Sequence, residues 1–174
     1  MKKQGILLIT NGNFEKNFLE KISTEVYNSY AYPVYIEESQ FDINDFYDPI
    51  RRQYDANRIL RKIDSIPSGQ FIRKIGLVRV DLYIPVLTYI FGQAVLNGNS
   101  GVASLFRLRN EHYGIKKDDA LLLDRFRKVI IHELGHTFGL IHCYTPTCVM
   151  RSSTYVEDID QKSHLLCPAC RSKI

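Results

Sequence analysis

The chain has 174 residues, and 45% of them are hydrophobic, so it can bury a sizeable core as a single domain. Charged residues make up 24% and the net charge is +4, an ordinary balance for a globular protein. The lysines and arginines are scattered rather than grouped, which argues against a nucleic-acid-binding tail. The longest apolar stretch, residues 82–91, is too short to span a membrane and contains Pro85.

The N-terminal residues do not have the pattern of a leader sequence. Lys2 and Lys3 precede an apolar run at positions 5–10, but this run is short and leads directly into the turn signal Asn11-Gly12-Asn13. A first β-strand that ends in a turn is the better interpretation. All four cysteines lie after residue 142, whereas a secreted protein would spread its cysteines to link distant loops. We therefore expect a cytoplasmic protein.

Strand-like and helix-like patterns alternate along the chain. In chain order they predict a strand at 6–9, a helix at 14–30, a strand at 34–36, a loop at 40–52, a helix at 54–66, a strand at 75–84, and strands at 91–96 and 102–108 separated by the turn signal at 97–101. Asp118 or Asp119 can cap a following helix that runs to about Leu140. The rest is predicted to be mostly loop, with one short helix between 153 and 163.

This alternation predicts an α/β (mixed α+β) fold with a small mixed, mostly parallel sheet and helices packed on it. The whole chain, residues 1–174, is expected to be one domain. Residues 1–139 would form a sheet-and-helix subdomain that ends with the helix after Asp118. Residues 140–174 would form an irregular subdomain that closes the other side of a cleft.

The most informative segment is residues 132–142, His-Glu-Leu-Gly-His-Thr-Phe-Gly-Leu-Ile-His. His132 and His136 are four residues apart, so a helix presents both imidazoles on one face, where they can bind one Zn²⁺. Glu133 can take a proton from an attacking water molecule. Gly139 can adopt a positive φ, which lets the helix end and the chain bring back His142 as a third ligand. Three protein ligands leave one position open, as in catalytic zinc sites. The alternative is two core histidines on an amphipathic helix and an unrelated third.

The four cysteines predict a second metal site. Cys143 and Cys148 are separated by four residues, and Cys167 and Cys170 form a C-x-x-C pair. Four thiolates fill a tetrahedral coordination sphere, so this zinc would be structural, and it would stabilise a segment with little apolar content. Two disulfides or free buried thiols are the alternatives. Met150 is a candidate for an apolar floor beneath the three imidazoles, or for simple core filling.

From His132 to Cys170 the sequence reads H-E-x-x-H-x-x-G-x-x-H-C-x4-C-x-M-x16-C-x-x-C. This pattern resembles the archaemetzincin family of zinc metallopeptidases, although the gap before the last cysteine pair is about one residue shorter than in that family. The strands near 91–94 and 104–108 also resemble family strands, less distinctively.

The resemblance implies a minimal metzincin fold with Met150 in the Met-turn and a catalytic zinc on the three histidines. It also implies peptide hydrolysis, aminopeptidase-like in some members, with Glu133 as general base and acid. Many metzincins bind the substrate as an extra strand at the sheet edge, and residues 91–96 are our candidate for that edge. His112 and Tyr155 are candidates for stabilising the oxyanion.

We thus predict a zinc-dependent metallopeptidase with two zinc ions, one catalytic and one structural, that acts on peptides. One rival hypothesis is a non-catalytic zinc-stabilised module that binds peptides, in which Glu133 would have no use. Another is a nucleic-acid-binding zinc module, because basic residues surround the cysteines, namely Lys162, His164, Arg171 and Lys173. No aromatic residues are interleaved with that charge, so no nucleic-acid partner is expected. A monomer is the favoured state, without a sequence signal that decides it.

Overall fold

Helices cover both faces of a five-stranded sheet, and a second small sheet lies beside it. The structure, a computed structural model, describes residues 4–174. Lys2 and Lys3, which entered the argument about a leader sequence, lie outside the described residues. The helices are α1 (Lys16–Tyr30), α2 (Ala56–Ser65), α3 (Asp119–Thr137), α4 (Val156–Gln161) and α5 (Pro168–Arg171). The strands are β1 (Gly5–Thr10), β2 (Val34–Glu38), β3 (Tyr47–Asp48), β4 (Gln53–Asp55), β5 (Phe71–Val78), β6 (Leu82–Ile84), β7 (Leu87–Ile90), β8 (Gly92–Ala94) and β9 (Ser100–Ser104).

The larger sheet is mostly parallel, as the sequence predicts. Its strand order is β2-β1-β5-β9-β8. Strand β1 pairs in parallel with both β2 and β5, and β5 pairs in parallel with β9. Strand β8 alone runs antiparallel, against β9, and lies at one edge. The predicted α/β class with a mixed, mostly parallel sheet is therefore confirmed, and the predicted edge at 91–96 coincides with β8.

Side chains that alternate along the central strands point into two separate cores. Ile6 and Leu8 belong to a core shared with α1 and α3, whereas Leu7 and Ile9 belong to a core shared with α2. This alternation follows from the period of two in a β-strand and explains why all six residues of β1 are buried. The sheet is thus buried on both faces, and α3 is fixed against it along most of its length.

The second sheet was not predicted, and the predicted strand at 75–84 is wrong as a single element. Strand β5 ends at Val78, and β6 begins at Leu82 in the other sheet, whose order is β3-β4-β6-β7. The chain changes sheets at Asp81, whose carboxylate accepts two hydrogen bonds from Arg107 at 2.6 and 2.7 Å. Gln53 also donates to this carboxylate. An apolar pattern does not reveal a switch that is accompanied by polar contacts around one partly buried acid.

Several predicted boundaries differ by a few residues. Helix α2 begins at Ala56 rather than at 54, because the Asp55 side chain accepts from Arg58 N and caps the first turn. The loop at 40–52 contains one 3₁₀ turn and β3. Strand β9 ends at Ser104, and the segment after it forms another 3₁₀ turn up to Leu108. Helix α3 ends at Thr137, three residues before the predicted Leu140.

The segment after α3 is held against that helix by an ion pair between the buried Arg125 and the more exposed Asp160. Arg125 on α3 donates two hydrogen bonds of 2.7 Å to Asp160 on α4. Arg125 also donates to the Leu108 carbonyl oxygen, so one guanidinium joins three segments. A forked pair of this kind fixes orientation as well as distance. As a result, α4 and the residues before it form a fixed wall opposite β8. Among residues 4–174, no helix combines the length and apolar character needed to cross a membrane.

Candidate metal centre and cleft

His132 and His136 point their free ring nitrogens at one another. Their Nε2 atoms are 3.0 Å apart. The Nδ1 atoms make hydrogen bonds to carbonyl oxygens, His132 to Val149 O at 2.8 Å and His136 to Leu140 O at 2.7 Å. A carbonyl oxygen can only accept, so each Nδ1 carries the ring proton and each neutral ring presents an Nε2 lone pair. Partners of this kind orient metal-binding histidines in proteins.

Two lone pairs that face each other at 3.0 Å repel, so the arrangement favours a cation between them. Tetrahedral zinc with Zn–N bonds of 2.0–2.1 Å places its nitrogen ligands about 3.3 Å apart, close to the observed spacing. Burial also lowers the pKa of His132 well below its ordinary value and that of His136 below its ordinary value, which favours the neutral rings that a metal needs. The donor atoms and their spacing therefore fit a zinc ion.

His142 completes the set after a sharp turn at the end of α3. Gly139 adopts φ +92°, a conformation that favours glycine, and its N–H donates to His136 O. The Leu140 N–H reaches back to Gly135 O, so the helix ends in a left-handed cap. The His142 ring centroid lies 5.3 Å from that of His132 and 5.0 Å from that of His136. The ligand nitrogens of the three rings all lie within 4.8 Å of one another, as the sequence predicts.

Glu133 lies beside the three rings, buried against the edge strand. Its side chain is 7% exposed and lines the same cleft. A Cβ atom on Gly92 of β8 would lie 2.7 Å from Glu133 Cγ and 2.8 Å from Oε1, so only glycine leaves room for this carboxylate. Burial raises the pKa of Glu133 to about 8, and the positive charge of Lys162 opposes that rise.

Met150 lies directly beneath the helix turn that joins His132 and His136. It is fully buried, and its carbonyl oxygen accepts from Cys143 N at 3.0 Å. A Cβ atom on Gly135 would overlap the Met150 sulfur and lie 3.0 Å from its Cε. The glycine between the two histidines therefore lets Met150 pack against the backbone that carries them. Met150 thus contacts the ligand-bearing helix itself.

The three histidines and Glu133 lie in a cleft of about 520 Å³. One wall is formed by residues 87–94 of β7 and β8, and the other by residues 152–155 together with Ile159 and Lys162. Tyr89 on the first wall donates to Thr154 O on the second at 2.9 Å. Asp158 accepts from Thr154 N and Tyr155 N, which fixes the second wall. A volume of this size suits a ligand of a few residues.

The four cysteines gather in a separate cluster. The Sγ atoms of Cys143 and Cys167 are 3.8 Å apart, as are those of Cys148 and Cys170. All four lie within 4.8 Å of one another. A disulfide requires about 2.05 Å, so none is formed, whereas tetrahedral zinc with Zn–S bonds of about 2.3 Å separates its sulfurs by about 3.8 Å. The spacing fits a zinc ion.

The structure places only one of the two oxyanion candidates in the cleft. Tyr155 lines the cleft and is 62% exposed. His112 does not line it, because it packs edge-on between the rings of Phe106 and Tyr113. Of the basic residues considered for nucleic-acid binding, Lys162 is 5% exposed and turns inward, whereas Arg171 is exposed and donates to Ser29 O.

Sequence reasoning missed two residues of the cleft. The sequence pattern places Lys162 in a basic surface, and nothing around it signals that its side chain turns inward. The pattern at Gly92 predicts only a strand. A glycine inside a strand does signal a close approach by another group, so this position could have been found.

A helix that presents two imidazoles and a carboxylate to a cleft at the edge of a mixed sheet, with a third imidazole supplied by the turn after it, defines a zinc metallopeptidase. Comparison with known proteins identifies the family of zinc metallopeptidases to which the chain belongs. Residues 14–174 match the model of Peptidase family M54, and the chain belongs to this family.

Relatives and solved structures agree with this assignment. The chain is 36% identical to an archaemetzincin of Haloquadratum walsbyi over 166 residues, which span 94% of this chain and 95% of that protein. It superimposes on a zinc-dependent peptidase from Methanocorpusculum labreanum with a TM-score of 0.88 and 29% identity, covering 97% of this chain and 99% of the other. For archaemetzincin from Methanopyrus kandleri the TM-score is 0.84 and the identity 31%, covering 98% and 92%.

Proposed function

We propose that this zinc metallopeptidase cuts peptide bonds in the described cleft, with His132, His136 and His142 as the zinc ligands and Glu133 as the general base. The observation that carries the assignment is the pair of Nε2 lone pairs 3.0 Å apart, each fixed by a carbonyl partner on Nδ1. The M. labreanum neighbour is described as a zinc-dependent peptidase, which supports the same chemistry.

Zinc bound at the three imidazoles would polarise the scissile carbonyl and lower the pKa of a water molecule toward 7. Glu133 then accepts a proton from the attacking water and passes it to the leaving amine. Burial raises the pKa of the Glu133 carboxyl to about 8 even against the opposing charge of Lys162. A zinc ion bound at the three imidazoles would lower that pKa and favour the basic form of Glu133. Metal binding and base function are therefore coupled.

We propose that the peptide binds alongside β8. Phe91 O and Val95 N bond to β9, so the alternation of an antiparallel pair directs the backbone groups of Gly92 and Ala94 outward, into the cleft wall. A peptide strand can pair with these groups and pass over Glu133. Tyr155, on the opposite wall, is the proposed partner of the oxyanion. Tyr155→Phe should lower kcat more than it changes KM.

A second, structural zinc at the four cysteines is also part of this proposal. The supporting observation is the Sγ spacing of 3.8 Å in both cysteine pairs. Four free thiols are compatible with a reducing compartment, so we propose a cytoplasmic enzyme. We keep the prediction of one domain at 1–174, with subdomains at 1–139 and 140–174, and of a monomer. A non-catalytic peptide-binding module is not favoured, because such a module needs no buried carboxylate at Glu133.

The test is hydrolysis of a peptide library by purified protein with known zinc content. Wild type should cleave in the presence of zinc and lose activity on chelation. Glu133→Gln preserves the shape of the side chain and should retain zinc while kcat falls at least about 1,000-fold. Glu111→Gln is the matched control, since Glu111 is an exposed carboxylate outside the cleft. Full turnover in the zinc-loaded Glu133 variant would exclude the proposed base.

A further inference from the structure

The cleft contains a basic residue that the hydrolytic chemistry does not use. Among the described residues that line it, Glu133 and Lys162 are the two with formally charged side chains apart from the imidazoles. Lys162 follows α4 and is 5% exposed, so its ammonium is removed from bulk water. Keeping a charge at such a position is unfavourable unless partners compensate for the lost hydration.

Lys162 has fewer partners than the other buried lysines. Its Nζ donates one hydrogen bond, to Arg151 O at 2.7 Å. No ion pair within 4.0 Å among residues 4–174 involves it. By contrast, Lys128 pairs with Asp124 at 2.6 Å and donates to Ile159 O. Lys74 donates to two carbonyl oxygens, of Asp64 and Ile66. An ammonium has three N–H donors, so Lys162 retains donors without a protein acceptor.

Ser153, on the same wall, has an unsatisfied hydroxyl. Its Oγ is buried and makes no hydrogen bond. The hydrogen bond from Lys162 to Arg151 O brings the ammonium to this segment, two residues before Ser153. Buried polar atoms in native proteins are almost always satisfied, so an unpaired hydroxyl in a cleft wall is available to a bound ligand. A cation and a neutral hydroxyl donor together suit one kind of group, an anionic oxygen acceptor.

We propose that Lys162 and Ser153 form a subsite that binds a carboxylate of the peptide being cut. This inference rests on the proposed function, because it assumes that the ligand of the cleft is a peptide. Two parts of a peptide carry this group, the side chain of Asp or Glu and the free C-terminus. Both groups are carboxylates, and peptides that differ in only one of them distinguish the two. The subsite makes the enzyme selective for peptides that place a carboxylate next to the scissile bond.

The first arm of the test uses wild-type, zinc-loaded enzyme and matched peptides. Each cleaved peptide is compared as the free acid and the C-terminal amide, and with Glu or Gln at each position around the cut. A charge-assisted contact predicts that kcat/KM is about 10- to 100-fold higher for the acid in one of these comparisons. The comparison that shows the preference identifies which carboxylate is bound. Equal rates within every pair would overturn the proposal.

The second arm uses variants. The measured quantity is the acid-to-neutral ratio, meaning kcat/KM for the acid peptide divided by kcat/KM for its neutral counterpart. In Lys162→Met the ratio should fall to below about threefold, and Ser153→Ala should lower it by about threefold to tenfold. Lys128→Met is the matched control, because this lysine is 4% exposed and lies outside the cleft lining. Its ratio should equal that of wild type. If Lys162→Met slows acid and neutral peptides equally, Lys162 acts on Glu133 instead of on substrate, and the proposal is wrong.

Binding measurements separate this proposal from the proposed function. Zinc-loaded Glu133→Gln is titrated with the same free-acid and amide peptides, with and without Lys162→Met. If the free-acid peptide binds more tightly than the amide and this difference depends on Lys162, the subsite is supported. That holds even if the wild type hydrolyses no peptide, a result that would overturn the peptidase assignment alone. Hydrolysis with an acid preference that survives Lys162→Met would leave the function intact and refute the subsite.

Discussion

Replacement of Gly92 by alanine tests whether the position of Glu133 depends on the edge strand. The added Cβ would lie 2.7 Å from Glu133 Cγ, 2.8 Å from Oε1 and 2.8 Å from Val102 O. Ordinary carbon contacts begin near 3.4 Å. The carboxylate and β8 must therefore separate by about 0.6 Å or more, in a closely packed region that has little free volume.

A displacement of this size should affect catalysis much more than metal binding. A misplacement of about 1 Å in a reacting group can lower the rate about 100-fold, so we expect kcat/KM to fall about 10- to 100-fold in Gly92→Ala. The three histidines are not touched by the added methyl group, and zinc content should stay at the wild-type value. The assay combines peptide hydrolysis with metal analysis of the same sample.

Gly101→Ala provides the matched control. Gly101 lies on β9 opposite Ala94, and an added Cβ there would lie 3.4 Å from Ala94 Cβ, 3.4 Å from Gln93 O and 3.6 Å from Ile75 Cδ1, which are ordinary contacts. Its activity should remain within about threefold of wild type, because ordinary contacts need no displacement. Wild-type kcat/KM in a correctly folded, zinc-loaded Gly92→Ala protein would refute the claim that β8 sets the position of Glu133.

Three further changes probe other parts of the structure. Gly135→Ala should destabilise the fold by about 1–3 kcal/mol in thermal melts, because the new methyl group overlaps Met150. The double variant with Met150→Val should recover part of this lost stability. Cys148→Ser should lose one zinc ion and unfold in chelator concentrations that wild type survives, measured by metal analysis and circular dichroism. Burial lowers the pKa of Lys162 to about 8 from the ordinary 10.5. Between pH 8 and pH 10.5 the unfolded chain therefore binds more protons than the folded protein, so the free energy of unfolding should rise with pH in this range. Lys162→Met should lack that part of the rise and be more stable at pH 7 in chemical denaturation.

The grouping of the three candidate ligands follows from the sequence because their spacing is local. His132 and His136 are joined by one helical turn, and Gly139 places His142 within a few residues, so no long-range packing needs to be known. The mostly parallel sheet was also predictable, since buried parallel strands such as 6–9 appear as continuous apolar runs. The edge position of β8 came from the family resemblance.

The second wall of the cleft was not predictable. Its position depends on Arg125 binding Asp160, a pair that is 35 residues apart and leaves no periodic signal. The inward orientation of Lys162 follows from that wall, and so the sequence alone placed this residue on the surface. The sheet switch at Asp81 is likewise accompanied by a long-range, partly buried ion pair with Arg107. Long-range polar contacts are the part of this fold that hydrophobic patterns do not encode.

The most direct test of the metal centre is a crystal structure of the zinc-loaded protein with anomalous scattering measured at the zinc edge. We expect one peak about 2.0–2.1 Å from an Nε2 atom of His132, His136 and a ring nitrogen of His142, with the Glu133 carboxylate facing the same cleft. A second peak should lie among the four cysteine sulfurs. Zinc found only at the cysteines, in protein that still hydrolyses peptides, would contradict the three-histidine site.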